Sequence, residues 1–209
     1  MIRSIPTTYK GVRFASTLEA DWAKTLDALR IRWEYEPEGV RLPDGQNYRC
    51  DMYLPHLRTW LEVKGPHDQR LDKPAALASA LVHAPGCSDG DPAEVFARPQ
   101  TSPAAVCPCG HGEDFPYNNV VIGRPAASGK LSFEPVHGPA GAGVLMVLLT
   151  CPVCAQRSFI DHHGAPICRR CKRDATGGSA YLSGRLPFHR VEPPRGRRRG
   201  SRRTAKAAS

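Results

Sequence analysis

The chain has 209 residues, 41% of them hydrophobic, and a formal net charge of +9. That length allows one sizeable core with a small additional module, and that composition excludes a chain disordered throughout. The charge is uneven: Arg195, Arg197, Arg198, Arg199, Arg202, Arg203 and Lys206 all follow Pro193 with no acid among them, which leaves +2 for residues 1–192.

Taken in chain order, the first predicted element is a helix over residues 16–30. It opens on an S-x-x-E capping box, Ser16 and Glu19, and carries Leu18, Trp22, Leu26 and Leu29 on one face. Trp33–Glu36 reads as a short strand and Pro43-Asp44-Gly45 as a turn. Tyr48–Leu54 alternates, with Tyr48, Cys50, Met52 and Leu54 on one face and Arg49, Asp51 and Tyr53 on the other. Thr59–Gly65 alternates as well, with Leu61 and Val63 opposed to Trp60, Glu62 and Lys64. The short link Pro55–Arg58 predicts that these two strands pair as a hairpin. Lys73–His83 reads as a helix that tolerates Pro74 in its first turn.

Residues 84–117, rich in Pro, Gly, Asp and Ala, read as an irregular insertion. Val120–Ile122 and Leu131–Phe133 are expected as strands around Ser128-Gly129, and Val144–Leu149 as a buried strand leading into a cysteine module at 151–176. Residues 177–209 are expected to be a linker and a disordered basic tail. The core therefore falls in residues 1–150. Met1–Lys10 has no apolar signal region and Val144–Leu149 is too short to span a bilayer, so a soluble, cytoplasmic protein without a membrane partner is expected. In that setting the eight cysteines point to metal rather than to disulfides.

Glu62 and Lys64 are two apart on a strand and leave the same face, and a paired strand brings Asp51 within reach. E-x-K is frequent on solvated strand faces. Here an acid after a turn precedes it, and Gly65-Pro66 ends the strand just beyond Lys64. Two hard carboxylates suit Mg²⁺ or Mn²⁺, and a lysine beside them can position a water and face charge that builds on phosphorus. Trp60 is expected to pack at the strand edge, with contact to a base or sugar as the alternative; Gln69 and Lys73 are expected at a solvated helix start, with a phosphate contact as theirs; Glu36 and Glu38 are expected as surface charges, and Cys50 as a small core residue.

With Tyr9-x-Gly11, Phe14-x-Ser16, Leu18-Glu19-Ala20, Trp22-Ala23, Trp33-x-Tyr35-Glu36-Pro37, Tyr48-x-x-Asp51 and Glu62-Val63-Lys64-Gly65, residues 9–83 resemble the PD-(D/E)xK, or restriction-endonuclease-like, nuclease superfamily. The likeness is to phage and mobile-element members related to transposon end-cleaving subunits and very-short-patch repair endonucleases. The resemblance implies an α/β fold with a mixed sheet flanked by helices, Mg²⁺-dependent hydrolysis of phosphodiesters and a DNA substrate. It assigns Asp51, Glu62 and Lys64 to catalysis and gives Glu19 as a third acidic metal ligand; the alternative for Glu19 is the capping-box partner of Ser16. Two positions depart from the pattern: Cys50 stands where proline is usual and Ala15 where arginine is frequent. Many relatives act as dimers, so a homodimer or a partner subunit stays open.

Cys151-x2-Cys154-x13-Cys168-x2-Cys171 has the spacing of a structural four-cysteine zinc ribbon, because each C-x2-C turn brings two thiolates together. Arg157, Arg169, Arg170, Lys172 and Arg173 decorate it and make DNA contact one of its two readings, the other being architecture alone. His162 and His163 are expected at the surface. A second Zn²⁺ set, Cys87, Cys107, Cys109 and His111, has an unusual spacing. Two function classes follow: a metal-dependent DNA endonuclease, or a non-catalytic nucleic-acid-binding zinc protein on a nuclease-like scaffold.

Overall fold

A computed structural model describes residues 4–42, 45–81, 120–126, 128–136, 146–161, 166–168 and 170–192. The insertion at 84–117 with Cys87, Cys107, Cys109 and His111, the tail from Pro193, and also His162, His163 and Arg169, lie outside the described residues.

The chain opens on a hairpin, β1 (Thr7–Tyr9) and β2 (Val12–Phe14), closed by Lys10 and Gly11 at φ 48° and 81°. Positive φ at both turn positions matches the right-handed twist of the strands it joins. Helix α1 (Thr17–Ala28) follows, with Ser16 as its N-cap. Ala20, Trp22, Ala23 and Leu26 of α1 are at most 1% exposed. Burying large apolar side chains of this kind contributes roughly 1.5–3 kcal/mol each.

The main sheet runs β3 (Glu34–Tyr35), β6 (Met52–Leu54), β7 (Thr59–Val63), β8 (Val120–Pro125), β9 (Leu131–Pro135) in spatial order. β7 and β8 are parallel and the other pairs antiparallel, so the sheet is mixed. Helix α2 (Asp72–Leu81) lies in the β7–β8 crossover. Alternation sorts the two faces. Leu61 and Val121 join α1 in one cluster, while Trp60, Val120 and Ile122 join Leu77 of α2 in another. Gly123 lets α1 sit close, since a Cβ there would lie 2.6 Å from the Trp22 indole.

Four expectations change. Tyr48–Leu54 is not one strand: β5 (Asn47–Tyr48) pairs with β4 (Val40–Arg41), and β6 restarts at Met52. All four alternating residues are buried, but Tyr48 and Cys50 enter the α2-side cluster, and Met52 and Leu54 the α1-side cluster. The chain thus passes between the two faces of the sheet, and Asp51 lies in the bend where it does so. Trp60 lies on an interior strand and is 8% exposed, so it packs in the core and not at an edge.

The third change is at the C-terminal side. β10 (Met146–Thr150), β11 (Arg157–Asp161) and β12 (Ala180–Leu182) form an antiparallel sheet in the order β11-β10-β12. One face of it, Met146, Leu148 and Phe159, belongs to the main α1-side core, and the Phe133 and Phe159 rings meet at 5.2 Å. The other face, Val147, Leu149 and Ile160, packs against the cysteines. The cysteine module is therefore fused to the main core and is not a satellite.

Nor are residues 177–192 a linker. Leu186 is fully buried and bridges to Leu131, and 188–191 run along α1 as a strap. Val191 N donates to Asp21 Oδ1 at 2.6 Å, His189 N to Thr25 Oγ1 at 3.2 Å and Lys24 Nζ to Arg190 O at 2.7 Å. This accounts for two buried polar residues on α1, Asp21 and Thr25, that a purely apolar face would not carry. Among the described residues no helix is long and apolar enough to cross a membrane.

Candidate active site and metal centre

The structure brings Asp51, Glu62 and Lys64 together at the carboxyl end of β7. Pairing of Met52 with Leu61 places Asp51 beside Glu62 and Val63. Val63 N donates to Asp51 Oδ2 at 2.7 Å, and Asp51 N lies 3.4 Å from Glu62 Oε2. Lys64 Nζ contacts Glu62 Oε1 at 2.7 Å, with side chains only 14% and 8% exposed.

The electrostatics are those of two acids confined together. Burial, and then the charge of Glu62, push the Asp51 carboxyl up to about 8 against the weaker opposing pull of the Val63 amide. A carboxylate pair in this setting is relieved either by holding a proton or by holding a cation. The donor set of Asp51 and Glu62, oxygen only, fits a hard divalent ion.

The roles of two residues that shape this site escaped the sequence reading. Tyr48 OH donates to Glu62 Oε2 at 2.6 Å, and burial followed by the neighbouring acidic groups drives the phenol far above its ordinary value. Arg124, 7% exposed, gives Nη1 to Gly65 O and Asp68 O, both at 2.7 Å, and Nε to Glu134 Oε2 at 3.0 Å. It pins the loop that directly follows Lys64. A lone arginine inside the otherwise apolar run Val120–Pro125 was the available signal.

Glu19 is placed differently from the other three. Ser16 Oγ donates to its Oε1 at 2.6 Å, while Tyr35 OH and Ala15 N donate to Oε2 at 2.8 and 3.1 Å. Glu19 N in turn donates to Ser16 Oγ at 3.1 Å. The Glu19 N bond to Ser16 Oγ is one half of a capping box, while the carboxylate reaches back one residue further, to Ala15 N, and to Tyr35. Glu19 is near enough for its charge to raise Asp51 further. Among the described residues, however, the one set of three or more Cys, His, Asp or Glu whose ligand atoms lie within 4.8 Å of one another is the cysteine set. Asp27 explains part of the motif pattern as architecture, since it accepts from Tyr9 OH, Trp33 Nε1 and Lys10 Nζ.

Around the cluster, Cys50 is buried, and burial raises its thiol well above the ordinary value. Glu36 pairs with Arg49 at 3.6 Å, and Gln69 and Lys73 are exposed.

Cys151, Cys154, Cys168 and Cys171 converge, and these four could hold a metal ion such as zinc. Cys151 and Cys171 Sγ lie 3.8 Å apart, and Cys154 and Cys168 Sγ 3.4 Å. Tetrahedral sulfurs about 2.3 Å from zinc stand about 3.8 Å from each other. The two turns are built alike. Ala155 N donates to Cys151 O and Lys172 N to Cys168 O, and Ala155 and Lys172 take φ 56° and 57°. Burial pushes Cys168 up to about 12. Burial also opposes ionisation of Cys151, but amides of Cys154 and Val153 aimed at its sulfur outweigh that and bring it down to about 7. Without a cation the four sulfurs cannot all ionise together, and metal is what four convergent thiolates need.

No protein-family model matches the chain, and no curated protein and no solved structure matches it.

Proposed function

We propose that the chain is a metal-dependent endonuclease that hydrolyses phosphodiester bonds in DNA, with Asp51 and Glu62 as ligands of Mg²⁺ or Mn²⁺. The observation that carries this reading is the buried carboxylate pair with Lys64 at the end of β7, in which Asp51 is held far above its ordinary value. A sheet of mixed sense with a helix on each face agrees with the fold that the PD-(D/E)xK resemblance implies. The cysteine cage is proposed as a structural zinc ribbon, since all four positions are filled by protein.

When bound, the divalent ion supplies Lewis acidity at the scissile phosphate. Asp51, fixed through Oδ2 by the Val63 amide, would be one of the two residues to hold the ion. Glu62 is oriented by the Tyr48 hydroxyl on Oε2, which leaves Oε1 facing Lys64. The Lys64 ammonium is the group placed to hold the attacking water and to face charge that builds on the phosphate. Glu19 acts at a distance, as a nearby negative charge and as the brace of the α1 start.

The test is incubation of the full chain with plasmid, hairpin and branched DNA and with matching RNA, in Mg²⁺ or Mn²⁺. Cutting of DNA that is lost in Asp51→Asn and in Lys64→Ala, with both variants folded, is the expected result. Binding without cutting by the native chain would leave a nucleic-acid-binding platform in place of a hydrolase, and cutting confined to RNA would change the substrate.

A further inference from the structure

The far end of β7 carries charge of a different kind. Around the carboxylates the cations are matched: Lys64 by Glu62, Arg49 by Glu36 and Arg70 by Asp68. At the opposite end, the β6–β7 turn exposes His56 and Arg58 while its apolar residue, Leu57, is 3% exposed. Arg32, also exposed, reaches the same turn, with Nη1 3.4 Å from His56 Nε2. The first cysteine turn is fastened there as well, because Gln156 Nε2 donates to His56 O at 2.6 Å. The same Nε2 donates to Arg157 O at 2.9 Å, so the backbone of Arg157 adjoins the turn.

Among the described residues no carboxylate lies within 4.0 Å of Arg32, Arg58 or Arg157. Arg58 sits at φ 49° and Arg30, at the end of α1, at φ 55°, in the left-handed region that favours glycine.

We infer that Arg32, Arg58 and Arg157, with His56, form a second surface for the nucleic-acid backbone, away from the bond to be cut. The inference rests on the reading of the chain as an enzyme of nucleic acid. From Thr59 to Lys64 is five strand steps, a separation of about 17 Å. That is on the order of five base-pair rises of a duplex. The surface therefore cannot touch the scissile phosphate and engages phosphates several nucleotides from it. Guanidinium groups with no carboxylate partner present paired donors that match phosphate oxygens, and they attract a polyanion at long range. A protein partner would require an apolar anchor, and the turn's own apolar side chain faces inward.

The experiment measures binding and not cutting. A duplex several helical turns long is titrated with full-length Asp51→Asn protein across a range of salt concentrations, and again with the same protein carrying Arg32→Gln, Arg58→Gln and Arg157→Gln. Three lost phosphate contacts should flatten the plot of log affinity against log salt by about 2 to 3. Affinity at low salt should fall at least tenfold, with the melting temperature held.

An unchanged slope overturns the inference, as does failure of the Asp51→Asn parent to bind duplex at all. Loss of binding to phosphatidylserine vesicles with duplex binding intact also overturns it, by assigning the surface to membranes. Cleavage by the native chain together with an unchanged slope removes the surface and leaves the hydrolase. A flattened slope with no cleavage removes the hydrolase and leaves the surface.

Discussion

At the scale of single residues, the site is organised around what holds Glu62. Its carboxylate takes the Tyr48 hydroxyl on one oxygen and the Lys64 ammonium on the other. Tyr48→Phe keeps the ring in the α2-side core and deletes one donor to a buried charge. A partner that orients a metal ligand is worth roughly 10- to 100-fold in metal affinity or activity. The variant should therefore cut DNA that much more slowly, with Mg²⁺ titration shifted to higher concentration and an unchanged circular-dichroism spectrum. Equal activity would show that Glu62 needs no such anchor.

Asp51 gives a second prediction, on stability. Its folded value of about 8 lies above the ordinary 3.8 of an aspartate. The native state therefore binds the extra proton between those limits, and without divalent ions this group's own contribution to stability is greatest below about pH 4. That contribution declines as the pH climbs toward about 8 and levels off beyond. Mg²⁺ should reverse the trend by replacing the proton. Melting temperatures across that range, with and without Mg²⁺, check this, and Asp51→Asn should flatten the curve. Glu62 and Lys64 were legible in the sequence because alternation sends both out by one face, and Asp51 because its place in the motif pattern put it on the preceding hairpin arm. The Tyr48 bond was not, because the chain changes faces between residues 48 and 52 and period-two counting does not register the bend.

At the scale of elements, two close approaches set the geometry. Helix α1 rests on β8 through Trp22 over Gly123, where an added methyl would lie 2.6 Å from the indole. Among the described residues the buried Trp22 Nε1 has no hydrogen-bond partner, so the ring is held there by packing. Gly123→Ala must push α1 away or strain the strand, and overpacking of this kind costs about 1–3 kcal/mol. The expected readout is a lower urea midpoint with an unchanged slope. The reverse holds at the β6–β7 turn. Arg58→Gly relieves left-handed strain at φ 49° and should be neutral to about 1 kcal/mol more stable. If that variant also binds DNA less tightly, the arginine is kept at a cost to the fold.

The helices, the β6–β7 hairpin and the β8–β9 hairpin were readable from periodicity and turn residues. The strap over 186–192 was not, because its hydrogen bonds come from backbone amides to Asp21 and Thr25 and leave no pattern in the strap's own sequence.

At the scale of the whole molecule, the cysteine cage and the main α1-side core share one strand. β10 alternates between the two, with Met146 and Leu148 in the main cluster and Val147 and Leu149 against the sulfurs. The four cysteines were legible from spacing alone, but their coupling to the core was not, because burial on both faces of β10 looks the same in sequence whichever partners supply it.

Were the cage a satellite, loss of its metal would unfold some twenty residues and spare the rest. As built, it releases β10, β11 and β12 together, and with them Phe159 and the Leu186 bridge. Apparent zinc binding free energies in small zinc modules are about 10 kcal/mol or more, as large as the whole stability of a typical domain. Cys151→Ser with Cys168→Ser, or removal of the metal by a chelator, should lower the melting temperature by at least about 10 °C, in a single transition followed equally by far-ultraviolet circular dichroism and by tryptophan fluorescence. The three tryptophans, Trp22, Trp33 and Trp60, all sit outside the cysteine module, so they report on the main sheet. A fluorescence transition left in place while the circular dichroism loses only a small early phase would mean that the core stands without the cage.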